Sequence, residues 1–131
     1  MRNLLVYNFE ILDEENVLVK SGIITYMFDS FKCLRTFDKL RIRKNKGLFY
    51  RGSTYIEKEN IIKLKKIAFS WKELFSEASE NFELTGLFNK KLDEYDRENY
   101  NKEEVIESLE NLITLHEKAE KENKIIEHWG I

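Results

Sequence analysis

Hydrophobic and polar positions alternate at the start of the chain. Leu5, Tyr7, Phe9 and Ile11 fall on one face of residues 3–12, the two-residue period of a half-buried strand. Asp13-Glu14-Glu15-Asn16 supplies a turn, and Val17-Leu18-Val19 is suited to return antiparallel, so a first hairpin is predicted. From Ile23 to Leu40 two periods compete: Ile24, Met27, Phe31, Leu34, Phe37 and Leu40 recur at helical spacing, while the Thr, Tyr and Phe content suits strands. A strand over 23–28 and a short helix from Ser30 to Lys39 are expected. A second hairpin follows from the alternation of Leu40-Arg41-Ile42-Arg43, a turn at Asn45-Lys46-Gly47 and a resumed strand at Leu48-Phe49-Tyr50, with Gly47 supplying positive φ.

After Thr54 the period changes. Ile61, Leu64, Ala68, Trp71, Phe75, Ala78 and Phe82 recur at alternating steps of three and four, and Ile67 and Leu74 broaden the stripe, which predicts a helix over 58–80 lying across a sheet. Gly86 interrupts, and residues 83–100 are expected to hold at most one short helix, around Phe88 to Tyr95. Asn101 followed by Glu104 forms a capping-box variant. The stripe of Val105, Leu109, Leu112, His116 and Ala119 then predicts a helix over 102–122. The tail "KIIEHWGI" reads as a strand that docks in the sheet. The pattern is that of a single α+β domain, 1–131: a mainly antiparallel sheet packed against two long helices, with the C-terminal strand joining the sheet.

Composition supports a folded core: 42% of the 131 residues are hydrophobic and 13% aromatic. No apolar run approaches the roughly 20 residues that span a bilayer. Asn8 and Glu10 interrupt any signal-peptide core, and a single cysteine excludes an internal disulfide. A cytoplasmic protein without a membrane segment is expected. The net charge of -2 conceals three blocks, of net -3 over 1–31, +10 over 32–72 and -9 over 73–131. The opposed blocks either attract each other within the globule or offer contact surfaces to partners.

The sequence offers little material for catalysis. Nucleophile and base would need Cys33 or a serine held by His116 or His128, but His116 lies on an apolar stripe and Cys33, in no nucleophile motif, reads as a buried small residue. No cysteine and histidine spacing suits a metal, no glycine pattern suits a nucleotide, and neither cofactor nor metal is expected. Arg51 with Gly52-Ser53-Thr54 admits an anion site or a simple turn. Two binding surfaces stand out. The acidic stretch "DEYDRENYNKEEVIESLE" carries Asp93, Glu94, Tyr95, Asp96, Glu98 and Tyr100, a negative surface with aromatic anchors suited to a basic protein partner, or a solvated helix start favoured by the helix dipole. The basic hairpin 40–55 carries Arg41, Arg43, Lys44, Lys46, Tyr50 and Arg51, suited to phosphates and to stacking on an unpaired base, or to protecting a strand edge.

The closing helix-to-strand unit "VIESLENLITLHEKAEKENKIIEHWGI", with the acidic, helix-rich second half before it, resembles small bacterial immunity proteins. That resemblance implies a non-catalytic protein that binds and occludes a toxin made by the same cell. A nucleic-acid or anionic-ligand binder using the basic hairpin is the alternative, and an exposed sheet edge is able to pair with a second copy of the chain.

Overall fold

The computed structural model describes residues 6–11, 14–38, 44–48 and 53–129. The N-terminal alternation folds as the expected hairpin: β1 (Val6–Ile11) pairs antiparallel with β2 (Asn16–Lys20), placing Phe9 opposite Val17. The tail strand β8 (Ile126–Trp129) does dock, and at the centre of the sheet, between β1 and β5 (Ser53–Ile56). With β3 (Arg35–Phe37) and β4 (Lys44–Lys46) the order is β2-β1-β8-β5-β3-β4, antiparallel throughout.

Strand alternation sorts the sheet into two faces. The rows Phe9, His128, Thr54 and Ile11, Ile126, Ile56 are buried on one face. Over that face lie α2 (Glu59–Phe75) and α3 (Lys102–Glu122), which contribute Ile61, Leu64 and Ala68, and Leu109, Leu112, Leu115 and Ala119, to the same core. Each fully buried Leu, Ile or Phe contributes about 1.5–3 kcal/mol relative to exposure. The opposite face carries Glu10, Glu127, Tyr55 and Phe37 in one row and Leu18, Asn8, Trp129 and Ser53 in the next. Local signals start and stop α3. The Asn101 side chain accepts from the Glu104 N–H at 3.1 Å, and Asn123 closes α3 in the left-handed conformation.

Three expectations are corrected. Residues Ser21–Met27 form a helix, α1, and Phe28–Cys33 a 3₁₀ turn, where a strand and then a helix were expected. Ile23, Ile24 and Met27 all reach the core at helical spacing, and that packing overrides the β-branched composition. Residues 44–46 are a strand paired with β3 rather than a turn, and Gly47 leaves that strand at φ +80. Its N–H donates to the Leu34 carbonyl at 2.8 Å and its own carbonyl accepts the Thr36 hydroxyl at 2.6 Å. The flanking strands expected at 40–43 and 49–50 lie outside the described residues. α2 stops at Phe75, short of the expected Glu80, and Phe82 belongs to the next element.

Candidate functional site

A further correction defines the site. Residues 81–101, expected to hold at most a short helix, form a second two-stranded sheet: β6 (Asn81–Asn89) against β7 (Glu94–Asn101). The alternation of Phe82, Leu84 with Glu83, Thr85 and of Glu98, Tyr100 with Arg97, Asn99 is a strand pattern masked by its high charge. At the turn the Asn89 side chain accepts from the N–H groups of Lys91 and Leu92, at 3.0 and 3.3 Å, and Asp93 adopts φ 53. Nine residues of strand extend about 30 Å, so the hairpin is an arm.

The base of the arm is held by rings. Tyr26, Trp71, Phe75, Phe82 and Tyr100 follow one another at centroid separations of 5.6, 5.7, 5.6 and 6.0 Å, with Phe75 and Phe82 stacked, bridging α1, α2 and the arm. The Trp71 indole N–H donates to the Ser30 hydroxyl at 3.0 Å. The Lys20 ammonium sits 5.7 Å above the Tyr100 ring and 3.8 Å from Glu104, and the Lys102 N–H donates to the Glu80 carbonyl across the hairpin base. β7 runs directly into α3, since Asn101 is both its last residue and the helix cap.

Close packing at this joint depends on Gly22. A Cβ there would lie 1.9 Å from the Tyr100 hydroxyl oxygen and 3.2 Å from Glu98 Oε2. Gly22→Ala is therefore expected to destabilise the fold by about 1–3 kcal/mol, despite the better helix propensity of alanine. Adding Tyr100→Phe, which removes the obstructing oxygen and its hydrogen bond to Glu98, is expected to recover much of the loss in a urea melt. No recovery would mean that the hydroxyl is not the obstacle.

Beyond Thr85 a bulge shifts the register, so that Thr85 faces Arg97 but Phe88 faces Tyr95. From there outward the arm exposes four large apolar or aromatic side chains: Leu87, Phe88, Leu92 and Tyr95 are 57%, 46%, 65% and 54% exposed. Phe88 and Tyr95 meet edge to face at 5.1 Å. Lys90, Lys91, Asp93 and Glu94 surround them at the turn.

Of the acidic-stretch candidates, Asp93, Glu94 and Tyr95 therefore stand at the tip, while Asp96 and Glu98 are half-buried on the inner side with Tyr100. Tyr100 is buried and anchors the arm to the body, so it offers no surface to a partner. Sequence reasoning missed Leu87, Phe88 and Leu92, although apolar residues isolated among Gly86, Asn89, Lys90 and Lys91 were a signal.

The basic candidates are less assembled. Arg41, Arg43, Tyr50 and Arg51 lie outside the described residues. Lys44 and Lys46 lie on β4, an edge of the sheet, where Lys46 faces Arg35. Charged side chains on an edge protect it from pairing. The charge blocks do meet inside the chain where Lys65 bonds Glu120 at 3.1 Å, and Lys118 and Lys124 hold Glu14 and Glu15 of the first block.

His116 and His128 are fully buried beside Phe9, with ring centroids 6.3 and 4.7 Å from it. His116 Nδ1 bonds the Leu112 carbonyl, while its Nε2 has no hydrogen-bond partner among the described residues. Cys33 is exposed, against the expectation that it is buried. Among the described residues no three His, Cys, Asp or Glu side chains come together as metal ligands, and no helix is long and apolar enough to cross a membrane. No family model matches the chain, and no curated protein or solved structure matches it.

Proposed function

We propose that this chain is a non-catalytic protein-binding domain, acting as immunity or inhibitor proteins do, by seating its β6–β7 arm in a partner and occluding it. One observation carries the reading: four large apolar side chains are exposed near the end of an arm whose base is fixed by packed rings, and two of them, Phe88 and Tyr95, pack on each other. A hairpin that needed only to fold would gain nothing from exposing Leu87, Phe88, Leu92 and Tyr95. A binding surface gains from anchors held in advance, because less ordering remains to be done on association. Glu83, Asp93, Glu94, Asp96 and Glu98 outnumber Lys90, Lys91 and Arg97 along the arm, which favours a partner whose apolar cleft has a basic rim. The lone cysteine fits a cytoplasmic setting.

A second reading has its own observation. The outer face of α2 exposes Lys63 and Lys66 with Ile62 and Phe69, and the Lys72 ammonium lies 5.2 Å above the Phe69 ring. Such a face suits a polyanion, with salt-sensitive affinity. Co-purification from the native host at low and physiological salt separates the two, using the natural chain and a tip variant with Leu87, Phe88, Leu92 and Tyr95 all replaced by Ser. The arm reading expects one protein, retained in constant ratio at both salts by the natural chain and lost by the variant. Retention of the same protein by the variant overturns it, and nucleic acid released at physiological salt supports the basic face of α2.

A further inference from the structure

β2 is an outer strand of the main sheet, and the phase of its ladder fixes what it offers. The Ile11 N–H donates to the Glu15 carbonyl at 3.0 Å. In an antiparallel ladder bonded pairs alternate with unbonded ones. Phe9 with Val17 and Tyr7 with Val19 therefore exchange hydrogen bonds, and Asn16, Leu18 and Lys20 direct their backbone N–H and C=O groups outward. Leu18 is 53% exposed on the open face. The register across β1 and β2 is continuous, and the chain has no proline, so neither a bulge nor a proline blocks this edge.

Beside the edge runs an open groove of about 460 Å³ between β2 and α3, lined by Glu15, Asn16, Val17 and Leu18 on one side and Asn111, Thr114 and Leu115 on the other. α3 runs antiparallel to β2, since Lys20 pairs with Glu104 at one end and Glu15 with Lys118 at the other. The middle of the groove is thus Val17 on the strand and the space between Asn111 and Thr114 on the helix.

From this geometry we infer that the β2 edge binds the β2 edge of a second copy of the chain, antiparallel, about a two-fold axis through Val17. An isologous contact requires a surface complementary to itself, and this one is complementary in both layers. In the strand layer the outward groups of Asn16 meet those of the second copy's Leu18, and Glu14 stands opposite the second copy's Lys20. In the helix layer Asn111 stands opposite Thr114, and Glu107 opposite Lys118. The six-stranded sheet becomes a twelve-stranded one. The inference does not rest on the arm, which lies on other elements and stays free to engage a partner.

The test uses cysteine substitutions in full-length chains that also carry Cys33→Ser. Opposed residues of an unbonded antiparallel pair have Cα atoms about 4.5 Å apart, within disulfide reach, whereas a two-residue offset places them beyond about 7 Å. On mild oxidation Val17→Cys is expected to form the interchain disulfide at least about tenfold faster than Leu18→Cys. In sedimentation equilibrium the natural chain is expected to be a dimer. Leu18→Pro, which removes an outward N–H without touching the β1 ladder, is expected to be a folded monomer by circular dichroism. The four-serine tip variant is expected to remain dimeric. A monomeric natural chain, a dimer that survives Leu18→Pro, or disulfide formation at Leu18 as fast as at Val17 overturns the inference. Should Leu18→Pro not fold, the cysteine pair decides alone.

Discussion

Acidification from pH 7 to pH 5 is expected to remove about 4 kcal/mol of folding stability, a large part of what a domain this size holds. Burial drives the imidazole of His116 down to about 4, the Lys65 charge adding to the effect against the Leu112 carbonyl, and burial alone drives His128 down to about 3. In the unfolded chain both titrate near 6.5. Below that value the unfolded state takes up two protons that the folded state refuses. The stability from these residues is therefore complete above pH 6.5 and declines as pH falls toward 4, by about 1.4 kcal/mol per pH unit for each histidine. The Glu14 carboxyl, held below its usual range chiefly by its hydrogen bond to Lys124, acts in the same direction at lower pH. Urea melts at pH 7 and pH 5 read the effect as a midpoint shift of about 2 M, given a slope of roughly 2 kcal/mol/M. His128→Leu, which keeps the site apolar beside Phe9, is expected to halve the pH slope. Equal midpoints at the two pH values would contradict the burial of both rings.

Phe75→Ala is expected to cost about 3 kcal/mol and to release the arm. Phe75 packs against Tyr26, Trp71 and Phe82 together, so its removal opens a cavity where α1, α2 and β6 meet. Phe-to-Ala substitutions in cores cost about 3–5 kcal/mol, and the site's place near the surface favours the lower end. Hydrogen exchange distinguishes local release from general weakening. Amides of β6 and β7 are expected to lose nearly all protection, while those of α3 and β8 lose only as much as the global stability falls. Phe69→Ala, an exposed ring on the same helix, should change stability by no more than about 0.5 kcal/mol. Arm amides that keep their protection in Phe75→Ala would show that the ring series is not what holds the arm.

The elements that were legible are those whose apolar period is buried along its whole length. The stripe of Val105, Leu109, Leu112 and Ala119 reaches the core at every step, and so do Ile61, Leu64 and Ala68; the Asn101 cap marked the start of its helix. Phe9 and Ile11 alternated because the face of β1 that they share is buried in the core. Where tertiary packing decides, the local pattern misleads. Ile23 and Ile24 sit on a helix because the core lies on one side of both. Phe82 continued the α2 stripe in register but stacks on Phe75 from another element. Charge density hid the alternation of the arm, and its bulge moved Phe88 onto the face of Tyr95. An acidic stretch and its tyrosines stood out as a candidate binding surface, yet no linear pattern separates Tyr95 at the tip from Tyr100 in the joint. That distinction depends on Gly22, Lys20 and Phe82, which are distant in sequence.

We propose the arm tip as the contact surface. Its most direct test places a photo-crosslinking amino acid at position 88, and separately at position 66 on the outer face of α2, in the chain expressed in its own host. Irradiation is expected to yield one discrete protein adduct from position 88 and none from position 66. Adducts from position 66 alone, with protein or nucleic acid, would contradict a role for the tip and move the function to the basic face.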